Sequence, residues 1–141
     1  MTPARHLIAA CATLMLLTFA VGVLMLVRRV REMQARRITP QSVALSAQRN
    51  ALLQDSRASD NYNHLFELPV LFYALCALAL ASDHIPVWLP IAAWAFVALR
   101  IAHSAIQTGR NTVTHRFAMF VAGFTILALA CAGWTWTIFV D

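Results

Sequence analysis

The chain contains no lysine and little charge of either sign. Its 141 residues carry 11 basic side chains, every one an arginine, and 6 acids; charged residues make up 12% of the sequence. A soluble domain normally carries about twice that charged fraction. Here 60% of the residues are hydrophobic and the mean hydropathy is +0.66. That composition excludes an ordinary soluble domain and makes lipid the expected solvent for most of the surface. Paired cysteines are missing too. Cys11, Cys76 and Cys131 stand singly in apolar runs, with no C-x-x-C of the kind a membrane thiol oxidoreductase needs for its redox pair. They read as small packing residues. The stretch "IAAC" ending at Cys11 looks like a lipoprotein cleavage box. Only Leu7 and Ile8 stand between His6 and its alanines, too short an apolar stretch for a signal peptide, so no cleavage is expected. There is no internal repeat, no low-complexity tract and no sign of a second domain. The arginines lack the aromatic interleaving or motif of a nucleic-acid binder, so no nucleic-acid partner is expected.

Four long apolar segments are present. Leu7 to Val27 is a run of 21 residues without a charge, enough to cross a hydrocarbon core of about 30 Å at about 1.5 Å per residue. Phe117 to Val140 is equally clear. Leu68 to Ser82 and Ile85 to Leu99 hold 15 uncharged residues each and would span only about 22 Å as helix. To cross, the second must extend back through Glu67 and His64, and the third forward through Arg100 and His103. The sequence therefore predicts one all-α domain over 1–141. It is an integral membrane four-helix bundle with helices near 7–27, 60–82, 85–106 and 115–139 and a loop over 28–57. Thr39 and Pro40 read as an N-cap and first helical position, which would start the second helix well before the membrane. Seven arginines, Arg28, Arg29, Arg31, Arg36, Arg37, Arg49 and Arg57, fall in the first connection, and Arg110 and Arg116 in the third. The positive-inside rule makes these connections cytoplasmic and puts both termini outside. Trp88, Trp134 and Trp136 then belong to the outer interfacial belt.

Polar residues recur at one depth on the middle helices. Asp60, Asn63 or His64, and Glu67 share one face of the second helix, as do Arg100, His103 and Gln107 on the third. His115 and Arg116 open the fourth. A charge at a helix centre costs about 2.5–3.5 kcal/mol on insertion scales and is normally met by a partner inside the bundle. Glu67 is expected to pair with Arg100, with His103 or with an arginine of another subunit. A purely structural ion pair would satisfy the same pattern. His64-x-x-Glu67 has the spacing of carboxylate-bridged metal bundles, but the further carboxylates such a site needs are lacking, so no metal is expected. A small proton-coupled exporter would need an acid in its first helix, and this one has none. An arginine-rich cluster would also hold Glu67 ionised.

Two blocks, "DNYNHLFELPVLFY" and "RIAHSAIQTGRNTVTHRF", together with the four helices and the basic first loop, resemble MAPEG, the membrane-associated proteins in eicosanoid and glutathione metabolism, in its bacterial branch. The resemblance implies a homotrimer in the bacterial inner membrane. Glutathione would lie between neighbouring subunits near the cytoplasmic face and be transferred to, or used to reduce, lipophilic electrophiles. Membrane lipids and a lipophilic small-molecule substrate are the expected partners. By that resemblance Asn63 and Glu67 match ligands of the second helix, with Arg57 and His64 beside them. Arg100 and His103 match the third-helix motif, and Arg116 matches the arginine that would stabilise the thiolate. The chain departs from the usual R-x-x-x-N-x-x-E pattern: Asn63 and Glu67 are four apart, Ser59 stands where that register puts arginine, and Pro69 follows the glutamate after two residues. Gln107 occupies the place of a tyrosine that many members carry four residues after the histidine. The alternative is a non-catalytic trimer of the same architecture that binds a lipid or a partner protein.

Overall fold

The computed structural model describes residues 1–140, and the first element already departs from the sequence expectation. Helix α1 runs Pro3–Ala35, 33 residues, or about 50 Å, well beyond a hydrocarbon core of about 30 Å. Thr2 caps it by accepting the Arg5 N–H at 3.4 Å. Arg28 and Arg29, expected to end the helix, stand inside it. The reason is local: residues 28–35 contain neither glycine nor proline and are rich in good helix formers. The Glu32–Arg36 pair at 3.2 Å adds i,i+4 support at the last turn. Arg37, in the left-handed region at φ 55°, turns the chain away.

Thr39 and Pro40 do not start the second membrane helix. They open a single 3-10 turn, Pro40–Val43, with no side-chain cap bond from Thr39. A short helix, α2 (Ser46–Leu52), follows. The chain then leaves helical geometry because side chains take over the backbone donors. The Glu32 carboxylate accepts the Gln54 N–H at 2.6 Å, and Asp55 accepts the Arg57 N–H at 3.2 Å.

The second membrane crossing comes in two pieces, α3 (Arg57–His64) and α4 (Leu68–Ala81). Pro69 supplies no N–H and its ring crowds the carbonyl four residues back, so it is accommodated in the first turn of a new helix and not in the middle of a continuous one. Backbone bonds accordingly shorten to three-residue steps, Phe66 N–H to Asn63 at 2.9 Å and Val70 N–H to Glu67 at 3.1 Å. Glu67 sits in this break.

Helix α5 (Leu89–Thr108) and helix α6 (Val113–Val140) complete the four crossings. Helix α1 packs on α3, α4 and α5, while α6 packs on α5 and α4. Leu7, Leu14, Phe72, Leu89, Phe96 and Val97 fill the interior, and the Phe72 and Phe96 rings stack with centroids 4.9 Å apart. Cys76 is buried among them, and Cys11 packs partly buried against the same core. Leu16, Phe19, Leu71, Ile91 and Leu129 are exposed around the outside, an apolar surface far larger than a soluble monomer presents.

The ends of the bundle are tied differently. At one, the Trp134 indole donates to the His84 carbonyl at 3.1 Å. At the other, arginines cap α5: Arg28 donates to the Thr108 carbonyl and Arg57 to the Gly109 carbonyl, each at 2.8 Å. Cations there satisfy the orphan carbonyls and the negative end of the helix dipole. Asp55 joins the two arginines, binding Arg57 through Nε at 2.8 Å and lying 3.6 Å from Arg28.

Candidate functional site

The sequence-derived residues separate into a seam and two outliers. Asn63 is exposed on α3. Arg57 is engaged by Asp55 and Gly109, about two turns of helix from the break. His64, Glu67, Arg100, His103 and the backbone of Arg116 form the seam, brought together because the broken second crossing and the start of α6 both lie against α5.

Within the chain Glu67 pairs with neither Arg100 nor His103. It bonds His64 Nδ1 at 3.0 Å, within its own segment, and its side chain is 56% exposed. Residues three apart meet across one helical turn, and the break at Leu65–Glu67 turns the carboxylate outward. Arg100 lies near enough to feel its charge, but no ion pair forms between them.

Arg100 is only 2% exposed and sits about 12 Å in from the end of α5 at Thr108. Its guanidinium is flanked by two aromatic rings, Phe96 at 5.3 Å and Phe120 at 5.7 Å. Each such contact is worth about 0.5–2 kcal/mol, so the rings offset part of the cost of a buried cation. They offer no hydrogen-bond acceptor in the ring plane, and Nη2 is buried without one.

His103 is held on both sides. Nδ1 faces the Arg116 carbonyl at 3.2 Å and Nε2 faces Gln107 Oε1 at 3.0 Å. An imidazolium donates to both oxygens as they stand. A neutral ring donates to the Arg116 carbonyl alone and takes the Gln107 amide in the opposite orientation, NH2 toward the ring. The His64 ring lies edge-on to it, centroids 6.1 Å apart. The Arg116 guanidinium itself turns toward the α5–α6 connection and donates to Asn111 Oδ1 at 2.7 Å.

Two residues that sequence reasoning passed over complete the seam. Asn61, 1% exposed, accepts the Ser104 hydroxyl at 3.2 Å and so joins α3 to α5. Its Nδ2, like Gln107 Nε2, is buried without a partner. The signal for Asn61 was present: counted from Arg57, R-x-x-x-N falls on Asn61, not Asn63. Ser104 carried no sequence signal of its own. The seam thus gathers buried donors that lack acceptors on Asn61 and Arg100, joined by Gln107 when the His103 ring is an imidazolium, with a carboxylate at its mouth. A ligand bearing anionic oxygens and a cationic group matches that set. The described residues contain no cluster of three or more potential metal ligands.

The fold and seam define an integral, multi-pass membrane protein: four crossings that are apolar outside and polar where α3, α5 and α6 meet. The family model described as the MAPEG family matches residues 7–136, and the chain belongs to that family. No curated protein and no solved structure matches it significantly.

Proposed function

We propose that this protein binds glutathione at the seam and transfers it to, or uses it to reduce, lipophilic electrophiles, as a homotrimer in a bacterial inner membrane. The observation that carries this reading is the pair of unsatisfied buried donors on Asn61 and Arg100. Leaving such groups unpaired costs about 1–3 kcal/mol each, and the carboxylates of glutathione supply the acceptors. Glu67, exposed at the break, receives the amino group. Because Arg100 is covered, a carboxylate reaches it as the half-buried Phe120 swings off the guanidinium face. Glutathione, once bound, contributes the thiol whose deprotonated form is the nucleophile. Arg116, whose guanidinium bonds Asn111 at the α5–α6 connection, holds that sulfur ionised by turning back toward the seam when glutathione binds. The exposed Glu67 and Asn63 of one subunit face the next, and the arginine-rich end is cytoplasmic with both termini outside. The substrate enters from lipid between helices.

Gln107 favours a second reading. It replaces a tyrosine hydroxyl and is bonded to His103, which suits a non-catalytic scaffold that binds a lipid or partner protein. Thermal unfolding of the detergent-purified protein separates the two. Reduced glutathione is expected to raise the midpoint, an unrelated anionic tripeptide is not, and Glu67→Gln and Arg100→Gln are expected to lose the shift. No shift at millimolar glutathione, with both variants folded, would leave the scaffold reading.

A further inference from the structure

A second polar feature lies outside the seam. A cleft of about 290 Å3 opens at the arginine-rich end, between the last turns of α1, the short helix α2 and the start of α3. None of the residues expected from the family resemblance lines it. Arg28, Arg29 and Arg49 reach into it, with Met25 and Leu53 as its apolar part. Two of the acids along its wall are paired with arginines, and the third accepts a neutral hydroxyl. Glu32 is bound by Arg36 and the Gln54 N–H, Asp55 by Arg57, and Asp60 by the Ser56 hydroxyl at 2.7 Å. Arg29 and Arg49 bond to none of them, and Arg49 stands close enough for its charge to act on Arg29. Arg28 spends Nη2 on the Thr108 carbonyl, while its Nη1 is buried without a hydrogen bond, 3.6 Å from Asp55. Three cations lining one cleft, with an unsatisfied buried donor on Arg28 among them, call for an anion with several acceptor oxygens.

The setting favours an anion that arrives on a lipid. The uncharged run of α1 ends at Val27, so Arg28 and Arg29 stand where hydrocarbon gives way to headgroups. The neighbouring face of the same turns is apolar and exposed, through Val23, Leu26 and Val30, which is a surface for acyl chains leading up to the cleft. We propose that the cleft seats the phosphate of an anionic phospholipid, gripped by Arg28, Arg29 and Arg49, with its acyl chains along α1. The site is independent of the glutathione reading: it draws on none of the seam residues.

The test is native mass spectrometry of the full chain in detergent, titrated with equal amounts of phosphatidylglycerol or phosphatidylcholine and no thiol present. Phosphatidylglycerol should be retained preferentially. Arg29→Gln and Arg49→Gln should each lower its retention about fivefold, the worth of one interfacial arginine, and leave phosphatidylcholine unchanged. Arg31→Gln is the control, an exposed residue on the opposite side of α1 from Arg29, and should behave as the parent does. Circular dichroism checks that each variant keeps its helices, and Arg29→Lys, which keeps the charge, should keep the preference. Equal retention of the two lipids would overturn the proposal. So would an equal loss in Arg31→Gln, which would mean a diffuse surface charge. Displacement of phosphatidylglycerol by millimolar inorganic phosphate would reassign the cleft to a soluble phosphate and overturn the lipid assignment.

Discussion

Arg100 is a single residue that is costly for stability and, in the proposed function, useful for binding. An unpaired guanidinium at that depth costs about 2.5–3.5 kcal/mol on insertion scales, and two aromatic faces return only part of it. Replacing such a charge with an apolar side chain is often stabilising. Arg100→Leu is therefore expected to unfold at a higher temperature than the parent in the absence of ligand, and to show no glutathione shift. A lower midpoint would mean that the guanidinium has a structural partner. Asp55 presents the opposite case. The Arg57 guanidinium bond holds its carboxyl below the ordinary value, against a desolvation that would raise it, with the Arg57 N–H and the Arg28 charge adding to the effect. A depressed carboxyl stabilises the folded state above its unfolded value, near pH 3.9, and that contribution disappears as the pH falls through the lower folded value. Asp55→Asn should consequently be less stable than the parent at pH 7, with the gap closing below about pH 4 in pH-resolved unfolding. At this scale the sequence was only partly legible. A carboxylate in an apolar run marked the seam, and Arg100 and His103 fell beside it. The partner Glu67 takes, His64, was readable from their spacing of three; that the backbone breaks there and turns the carboxylate outward was not. Asn61 was readable from its distance to Arg57, while Ser104, a small polar residue in a helix, gave no signal.

Elements were easier to read than residues because the bilayer imposes a length on them. Four runs of sufficient hydropathy marked four crossings, and Pro69 marked a disturbance that the structure resolves into a full break between α3 and α4. Ends were harder. Nothing in the composition stops α1 at the membrane surface, and helix propensity carries it on through its arginines. Conversely, Thr39 and Pro40 have the right chemistry for a helix start, but Glu32 and Asp55 capture the backbone donors further along. Gly109 is the one terminal signal with a tight steric reason. A Cβ there would lie 2.9 Å from the Ala105 carbonyl oxygen, and the Gly109 carbonyl accepts Arg57. Gly109→Ala is expected to cost about 1–2 kcal/mol, read as a lower midpoint in denaturant unfolding. An unchanged midpoint would show that the connection moves aside freely.

For the whole molecule, the arginine-rich end and the tryptophan end set a direction. With the former in the cytoplasm, Thr2→Cys should react with a membrane-impermeant maleimide on intact cells, and Gln41→Cys only after the cells are opened. The reverse pattern would invert the topology.

The length of α1 has a consequence for the chain's resistance to cutting. Its final turns carry the chain past the hydrocarbon before it turns back, and Arg37 sits exposed at that turn. A protease that cleaves after arginine should meet this turn first. The nick would separate α1 from everything after it in sequence, but not in space, because α1 packs along α3, α4 and α5 and the Arg28 bond to Thr108 crosses the cut. The two fragments should stay together as one particle and part only when the lipid or detergent is stripped away. The same holds in reverse: α1 and the remaining 100 or so residues, expressed as separate polypeptides, should find each other in the membrane and restore the bundle without a peptide bond between them.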